Sequence, residues 1–168
     1  MCGIIGFTGN LQAPGILVDG LQQLEYRGYD SAGIAVNNGS ETKIVKTTGK
    51  VATLREKVEA TADLAGTCGI GHTRWATHGG VTEVNAHPHV SGNVTLIHNG
   101  IIENYKELAA SLKTKGFTAI SETDTEVAAM LIDSLYDGNP FAALKEADQM
   151  LEGAYGFCVM FKDHPGEI

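Results

Sequence analysis

The chain has 168 residues, 43% of them hydrophobic and 19% charged, and its 12 basic and 20 acidic residues give a net charge of −8. A chain of this length buries roughly two thirds of the surface that it exposes when unfolded, so one domain needs no disulfide or metal to be stable. The acidic balance disfavours a phosphate backbone, and we expect no nucleic-acid partner. Every apolar run is shorter than the ~20 residues of a membrane span, so we expect no membrane association.

The N-terminus has no basic region followed by an apolar core, which argues against a secretory signal. The three cysteines are an odd, small number, which favours free thiols in a reducing compartment, and we expect a cytoplasmic protein. Cys68 and Cys158 lie in apolar runs and are predicted to be small buried hydrophobes.

Periodicity and turn residues predict the elements of the first half. In chain order these are a buried strand at 3–8, a helix from Pro14 to Gly28, strands at 33–36 and 43–47, a helix at 51–61 and a strand at 69–73. Residues 74–92 are rich in His, Gly, Thr and Asn without a period, and predict a long loop, which in a compact domain is usually functional.

The second half begins with a predicted strand at 94–98 that ends in an Asn99-Gly100 turn. Thr123 followed by Glu126 indicates a capping box at the start of a helix. The other predicted elements are a helix at 103–115, a strand at 117–120, a helix from Asn139 to near Gly153 and a strand at 155–161.

The predicted strands come in pairs between pairs of helices, not in strict strand–helix alternation. This order indicates an α+β fold in which two sheets are covered by helices, a four-layer αββα sandwich. We expect residues 1–168 to form one domain. The tail at 163–166 resembles a linker, so we expect the chain to be the N-terminal part of a longer protein.

Cys2 differs from the other cysteines because removal of Met1 would give it a free α-amino group beside its thiol. The thiolate is the nucleophilic form of cysteine, and an adjacent base or cation increases its population. Because an α-amino group titrates near pH ~8, one residue could supply both nucleophile and base. Gly3 leaves both groups uncrowded.

Six segments in the same order carry a family resemblance. They are MCGIIGFTG (1–9), YRGYDSAG (26–33), GHTRWATHG (71–79), NAHPH (85–89), HNGIIEN (98–104) and SETDTEV (121–127). The opening segment resembles the class II glutamine amidotransferases, a branch of the N-terminal-nucleophile hydrolases. Together the six resemble the glutaminase domains of glutamine–fructose-6-phosphate aminotransferases, also called glucosamine-6-phosphate synthases, over essentially the whole chain.

The resemblance implies an αββα fold of the N-terminal-nucleophile type and hydrolysis of L-glutamine to L-glutamate and ammonia. Cys2 would form a γ-glutamyl thioester, and no cofactor or metal would be needed. In a longer enzyme, ammonia would pass to a synthase/isomerase domain, absent from this chain, and aminate fructose 6-phosphate to glucosamine 6-phosphate.

The resemblance also implies which residues bind glutamine. Arg74 would hold the substrate carboxylate, because a guanidinium can donate two parallel hydrogen bonds, and Thr77 and His78 would assist it. Asp124 would bind the ammonium group. By residue type alone, Arg74 could be a surface arginine, and Asp124 could be a helix-capping acid stabilised by the macrodipole.

The other implied roles concern the reaction itself. The Asn99 side chain and the Gly100 backbone N–H would form the oxyanion hole, although Asn-Gly by itself also predicts a plain turn. Trp75 would help to cover the site and gate ammonia transfer. Arg27 either anchors the site near Cys2 or is a cation at the end of a helix.

Two other functions fit parts of the sequence. One is a metal site, suggested by six residues that commonly bind metals, although their spacing matches no standard pattern: Cys68, His72, His78, His87, His89 and His98. The other is a non-catalytic module that binds glutamine or another amino acid. Within the resemblance, the alternative is the glutaminase domain of another class II amidotransferase.

Overall fold

The computed structural model describes residues 2–75 and 79–168, and two antiparallel sheets lie at its centre. Sheet A has the strand order β1-β4-β2-β3 and contains Gly3–Thr8 (β1), Ser31–Asn37 (β2), Thr42–Thr48 (β3) and Cys68–Arg74 (β4). Sheet B has the order β5-β6-β7 and contains His89–Ser91 (β5), Val94–Ile102 (β6) and Gly153–Phe161 (β7).

Helices cover the outer face of each sheet. Sheet A packs against Ala13–Leu24 (α1) and Val51–Ala60 (α2), and a short 3₁₀ helix, Glu25–Arg27, follows α1. Sheet B packs against Tyr105–Thr114 (α3), Asp124–Leu135 (α4) and Pro140–Asp148 (α5). This layering confirms the predicted four-layer αββα sandwich.

The helices are all modest in length. Over residues 2–75 and 79–168, none combines the length and apolar character needed to cross a membrane.

Three apolar clusters fill the three spaces between the four layers. One joins α1 and α2 to sheet A, and another joins α3, α4 and α5 to sheet B. The third lies between the sheets and includes Ala35, Ile70, Ile97 and Met160. One strand contributes to two clusters because successive side chains point to opposite faces of a sheet. On β2, Ile34 packs with the helices, whereas Ala35 packs with sheet B.

The same alternation brings polar side chains into the inter-sheet space. On β4, Cys68 and Ile70 pack between the sheets, and residues 72 and 74, at the same two-residue spacing, continue along this face. The core therefore changes at one end from apolar side chains to His72 and Arg74, both buried. That end of the inter-sheet layer is where a polar site can form.

Three of the predictions differ from the structure. Residues 89–91, predicted as loop, form β5 by pairing with the start of β6. Strand β6 continues through Asn99 and Gly100 to Ile102, paired with β7, so the predicted turn is wrong. Residues 117–120 form no strand.

The capping box at α4 is half formed. Thr123 Oγ1 accepts the Glu126 N–H at 3.3 Å, as predicted. The Glu126 carboxylate, however, accepts from the backbone N–H groups of Ile120 and Ser121. The segment predicted as a strand is thus held by a helix side chain and not by a neighbouring strand.

Two glycines provide a matched test of this packing. A Cβ at Gly15, on the exposed side of α1, would meet nothing within 4 Å, whereas one at Gly69 would lie 2.6 Å from Ala35 O. We expect Gly15→Ala to raise the free energy of unfolding by up to about 1 kcal/mol through helix propensity. Gly69→Ala should lower it by roughly 1–3 kcal/mol, because the strands must move apart. Urea unfolding of both variants measures this, and equal effects would contradict the packing described.

Candidate active site

Cys2 lies immediately before β1, beside the end of β4. Its Sγ accepts a hydrogen bond from the Trp75 backbone N–H at 3.2 Å. Next to it, the Gly3 N–H donates to Thr73 Oγ1 at 3.1 Å. The thiol is partly exposed, so it is both fixed by the neighbouring strand and accessible to a small molecule.

A cavity beside Cys2 brings together most of the predicted site residues. Its lining includes Cys2, Arg74, Trp75, Gly100 and Asp124, together with His72, His87, His98, Thr123 and Thr125. Thr77 and His78, predicted to bind substrate, lie outside the described residues, as does Met1.

Arg74 supplies the positive charge of the cavity. It ends β4 and is only 5% exposed, and its Nη1 donates to Gly80 O at 3.1 Å. Burial lowers the pKa of the guanidinium, while the charges of Cys2 and Asp30, among others, oppose this shift. Since a guanidinium keeps its proton in proteins, Arg74 remains a cation able to grip a carboxylate.

Asp124 supplies a negative charge in the same cavity. It is the first residue of α4 and is 8% exposed. Its Oδ2 accepts the Ile102 backbone N–H at 2.9 Å, and its Oδ1 lies 3.9 Å from His98 Nδ1. A negatively charged side chain at a helix N-terminus is stabilised by the helix macrodipole. The described lining residues of the cavity therefore include one cation and one anion, the pair that a zwitterionic amino acid requires.

Asn99 and Gly100 lie in β6, where it passes the start of β1. Asn99 Nδ2 donates to Cys2 O at 3.2 Å. Gly100 has a φ of +126°, and a Cβ there would lie 2.1 Å from Ala154 O, so only glycine fits this close strand approach. The glycine is thus required by the approach of β7, and the asparagine before it contacts Cys2.

Trp75 and Arg27 are placed differently from each other. Trp75 is 46% exposed at the cavity, and its ring meets Tyr29 edge to face, with centroids 5.5 Å apart. Arg27 lies in the 3₁₀ helix with its guanidinium 5.8 Å from the centre of the Tyr26 ring, and it is not among the described lining residues. Its neighbour Asp30 contacts the site directly, because the Asp30 N–H donates to Arg74 O at 3.0 Å.

Sequence reasoning did not assign the buried histidines to the site. Hydroxyl groups at the start of α4 bind them: Thr125 Oγ1 lies 2.8 Å from His87 Nε2 and 3.0 Å from His98 Nδ1, and Thr123 Oγ1 lies 3.1 Å from His89 Nε2. The sequence does contain one indication of this for His72, which lies two residues from Ile70 on the same predicted strand and two residues from Arg74. A strand periodicity extended into the GHTRW motif would have placed His72 in the inter-sheet space.

These imidazoles are held neutral. Burial lowers the pKa of His72 to about 4 and that of His89 to about 3. Burial also lowers the pKa of His87 well below its usual value, and it lowers that of His98 against the opposing charge of Asp124. The histidines therefore act here as neutral hydrogen-bonding groups.

The geometry does not favour the alternative metal site. Among residues 2–75 and 79–168, no three His, Cys, Asp or Glu side chains are grouped so that they could hold a metal ion. Cys68 is 2% exposed with its Sγ 3.8 Å from Met160 Sδ, and burial raises its pKa. Cys158, beside the same cluster, is partly buried, and burial raises its pKa to about 11. Cys68 is therefore buried as predicted, whereas Cys158 packs against the apolar cluster without full burial.

The neutral histidines predict how stability depends on pH. In the unfolded chain a histidine binds its proton below about pH 6.5, whereas in the folded protein the ring of His72 stays neutral to about pH 4 and that of His89 to about pH 3. Since the unfolded state then holds more protons, stability is complete above pH 6.5 and falls towards pH 4, by up to about 1.4 kcal/mol per pH unit for each such ring. Urea unfolding between about pH 8 and about pH 5 measures the slope.

His89→Gln serves as the comparison, because glutamine can keep a hydrogen bond to Thr123 and does not titrate. Its slope should be shallower than that of the parent protein. An NMR titration that gave the ring of His89 an ordinary pKa in the folded protein would contradict the prediction.

Comparisons with known proteins agree with this geometry. Residues 72–166 match the family described as the glutamine amidotransferase domain. Glutamine–fructose-6-phosphate aminotransferases (isomerizing) from Thermus thermophilus and Idiomarina loihiensis are each 52% identical, over 98% and 100% of this chain. The chain spans only 27% and 28% of those proteins. A solved glutamine phosphoribosylpyrophosphate amidotransferase from B. subtilis superposes with a TM-score of 0.81 and 30% identity, over 96% of this chain and 35% of its own. The chain belongs to the glutamine amidotransferase family.

Proposed function

We propose that this domain hydrolyses L-glutamine to L-glutamate and ammonia, with Cys2 as the nucleophile. The observation that carries the proposal is the position of Cys2 Sγ at a cavity that holds one buried cation, Arg74, and one buried anion, Asp124. Membership of the glutamine amidotransferase family selects glutamine among the amino acids that such a pair could bind.

The charges of the cavity suggest how glutamine is oriented. Arg74 binds the α-carboxylate by charge-assisted hydrogen bonds, and Thr77 and His78 are proposed to assist it. Asp124 binds the α-ammonium group. The substrate's side chain then runs towards Cys2, which places the amide carbon at the sulfur and its oxygen beside Asn99 and Gly100.

The reaction then follows from the chemistry of each group. Once Met1 is removed, the free α-amine of Cys2, directly or through a water molecule, takes the thiol proton as Sγ attacks the amide carbon. Asn99 Nδ2 and the Gly100 N–H stabilise the oxyanion. The intermediate collapses with cleavage of the C–N bond, and the ammonium proton passes to the departing ammonia. Water then hydrolyses the γ-glutamyl thioester, which releases glutamate and restores the thiol. No cofactor takes part in these steps.

The long relatives suggest the fate of the ammonia. We propose that the chain works as the glutaminase domain of a longer enzyme, whose synthase/isomerase part uses ammonia to aminate fructose 6-phosphate to glucosamine 6-phosphate, a step of hexosamine biosynthesis. Trp75, exposed at the cavity, is proposed to cover the site, and Arg27 to support it from the 3₁₀ helix. Three free thiols suit a cytoplasmic enzyme.

Replacing the nucleophile tests the proposal directly. We expect Cys2→Ala to release no glutamate from glutamine, because no thioester can form. Cys158→Ala is the matched control, since it removes a thiol from between the sheets and should leave turnover intact. Glutamate production followed by coupled assay gives the result, and turnover retained in Cys2→Ala would exclude the mechanism. A protein that binds glutamine but never hydrolyses it, even with the mature N-terminus verified by mass, would instead be a binding module.

Replacing the carboxylate-binding residue tests the orientation of glutamine. Arg74→Ala should raise KM by roughly 10- to 100-fold, because a hydrogen bond to a charged group is worth about 1.5–3 kcal/mol. Arg74→Lys should have an intermediate KM, since it keeps the charge and loses the bidentate geometry. Steady-state kinetics over a range of glutamine concentrations separates KM from kcat. A KM unchanged in Arg74→Ala would assign the substrate carboxylate to another group.

A further inference from the structure

His72 makes two hydrogen bonds from one ring nitrogen, and together they determine its protonation. Nε2 lies 3.0 Å from the backbone oxygen of His98 and 2.9 Å from Asn99 Oδ1. A backbone carbonyl can only accept, so Nε2 must carry the proton and donate. This assignment needs no assumption about the neighbouring amide.

The same proton determines the orientation of the Asn99 amide. Because Nε2–H is a donor, the Asn99 atom that faces it must be the oxygen, which turns the amide nitrogen towards Cys2. Nδ2 indeed donates to Cys2 O at 3.2 Å. In the reverse orientation the amide oxygen would face Cys2 O and the developing oxyanion, and the site would have an acceptor where it needs a donor.

We propose that His72 is a positioning residue for the glutaminase reaction, because its Nε2–H holds the Asn99 carboxamide in the one orientation that offers an N–H to the oxyanion. The proposal rests on the proposed function, since it requires Asn99 to act in the oxyanion hole. His72 itself acts only through Asn99.

The surroundings of His72 suit this role. His72 is 1% exposed and lies on β4, an inner strand of sheet A, with Ile4 of β1 and Gly33 of β2 as its cross-strand partners. It stacks on the ring of His87, with centroids 4.1 Å apart and an angle of 22° between the planes. His87 is held in turn by Thr125. A ring fixed on several sides can hold a flexible amide in place.

The chemistry of the residue suggests informative substitutions. Glutamine at position 72 could place a side-chain N–H where Nε2 lies, whereas asparagine is shorter and reaches only the position of Nδ1. Methionine keeps much of the side-chain volume but has no donor. His72→Gln, His72→Asn and His72→Met therefore differ chiefly in whether a donor reaches Asn99.

The test is a double-mutant cycle that combines His72→Met with Asn99→Ala. The assay measures the glutamate that each variant of the chain produces from glutamine. Asn99→Ala should lower kcat about 100- to 1,000-fold, the usual effect of losing one oxyanion donor. His72→Met should lower kcat by about 10-fold or more with little change in KM, because only the transition state is affected. Combined with Asn99→Ala, His72→Met should have no further effect. His72→Gln should recover most of the activity.

The results that would contradict this inference differ from those that would contradict the oxyanion role of Asn99. If His72→Met lowers kcat by the same factor with and without Asn99, it acts on the fold and the positioning role is excluded, although the oxyanion role of Asn99 survives. If Asn99→Ala leaves kcat unchanged, the oxyanion hole of the proposed function is wrong and this inference falls with it. Should His72→Met not fold, the comparison of His72→Gln with His72→Asn decides, and equal kcat values for the two exclude the role.

Discussion

The pairing register of β4 within sheet A, which decides the side chains that face sheet B, is the constraint on which the rest of this structure depends. Along β4 the side chains that face sheet B are in turn Cys68, Ile70, His72 and Arg74, so one strand face passes from apolar core to polar site within seven residues. A shift of one residue would turn this face towards the helices and bring Gly69, Gly71 and Thr73 inward. The core and the site are therefore specified by the same pairing.

Burial of so many polar groups at the end of the core has a cost, which hydrogen bonds offset. An imidazole without partners would be expensive in this layer, and the hydroxyl groups of Thr123 and Thr125 at the start of α4 provide partners from sheet B's side. The start of α4 also presents Asp124 to the cavity. Because the rings are neutral, they add no positive charge beside Arg74. Among the described lining residues, the charged groups that a substrate meets are then the guanidinium of Arg74 and the carboxylate of Asp124, one at each side of the substrate's zwitterion.

Hydrophobic periodicity and turn residues correctly predicted the helices and strands that depend mainly on their own sequence. The strands of sheet A and the helices have the expected periodicity, and the layering follows from their order. The errors arise where a contact with another segment, and not the segment's own composition, decides the structure. Strand β5 exists only because residues 89–91 pair with β6. The Asn99-Gly100 pair has the composition of a turn, but the close approach of Ala154 uses the glycine inside a strand. Residues 117–120 have the composition of a strand, yet the Ile120 N–H donates to the Glu126 carboxylate and the Phe117 N–H to Leu112 O.

The roles of the site residues divide in the same way. Some follow from the type of the residue, and others depend on its contacts in the folded chain. The family resemblance makes Cys2, Arg74 and Asp124 candidates, and the nucleophilicity or charge that each role needs is a property of the residue itself. Whether Asn99 offers a donor or an acceptor is not a property of asparagine, since its amide has both. That depends on a proton of His72, which is located in turn by the backbone oxygen of His98. The chemistry proposed for this site thus rests on a neighbour whose residue type alone suggested metal binding, and whose role is visible only when β4 and β6 lie side by side.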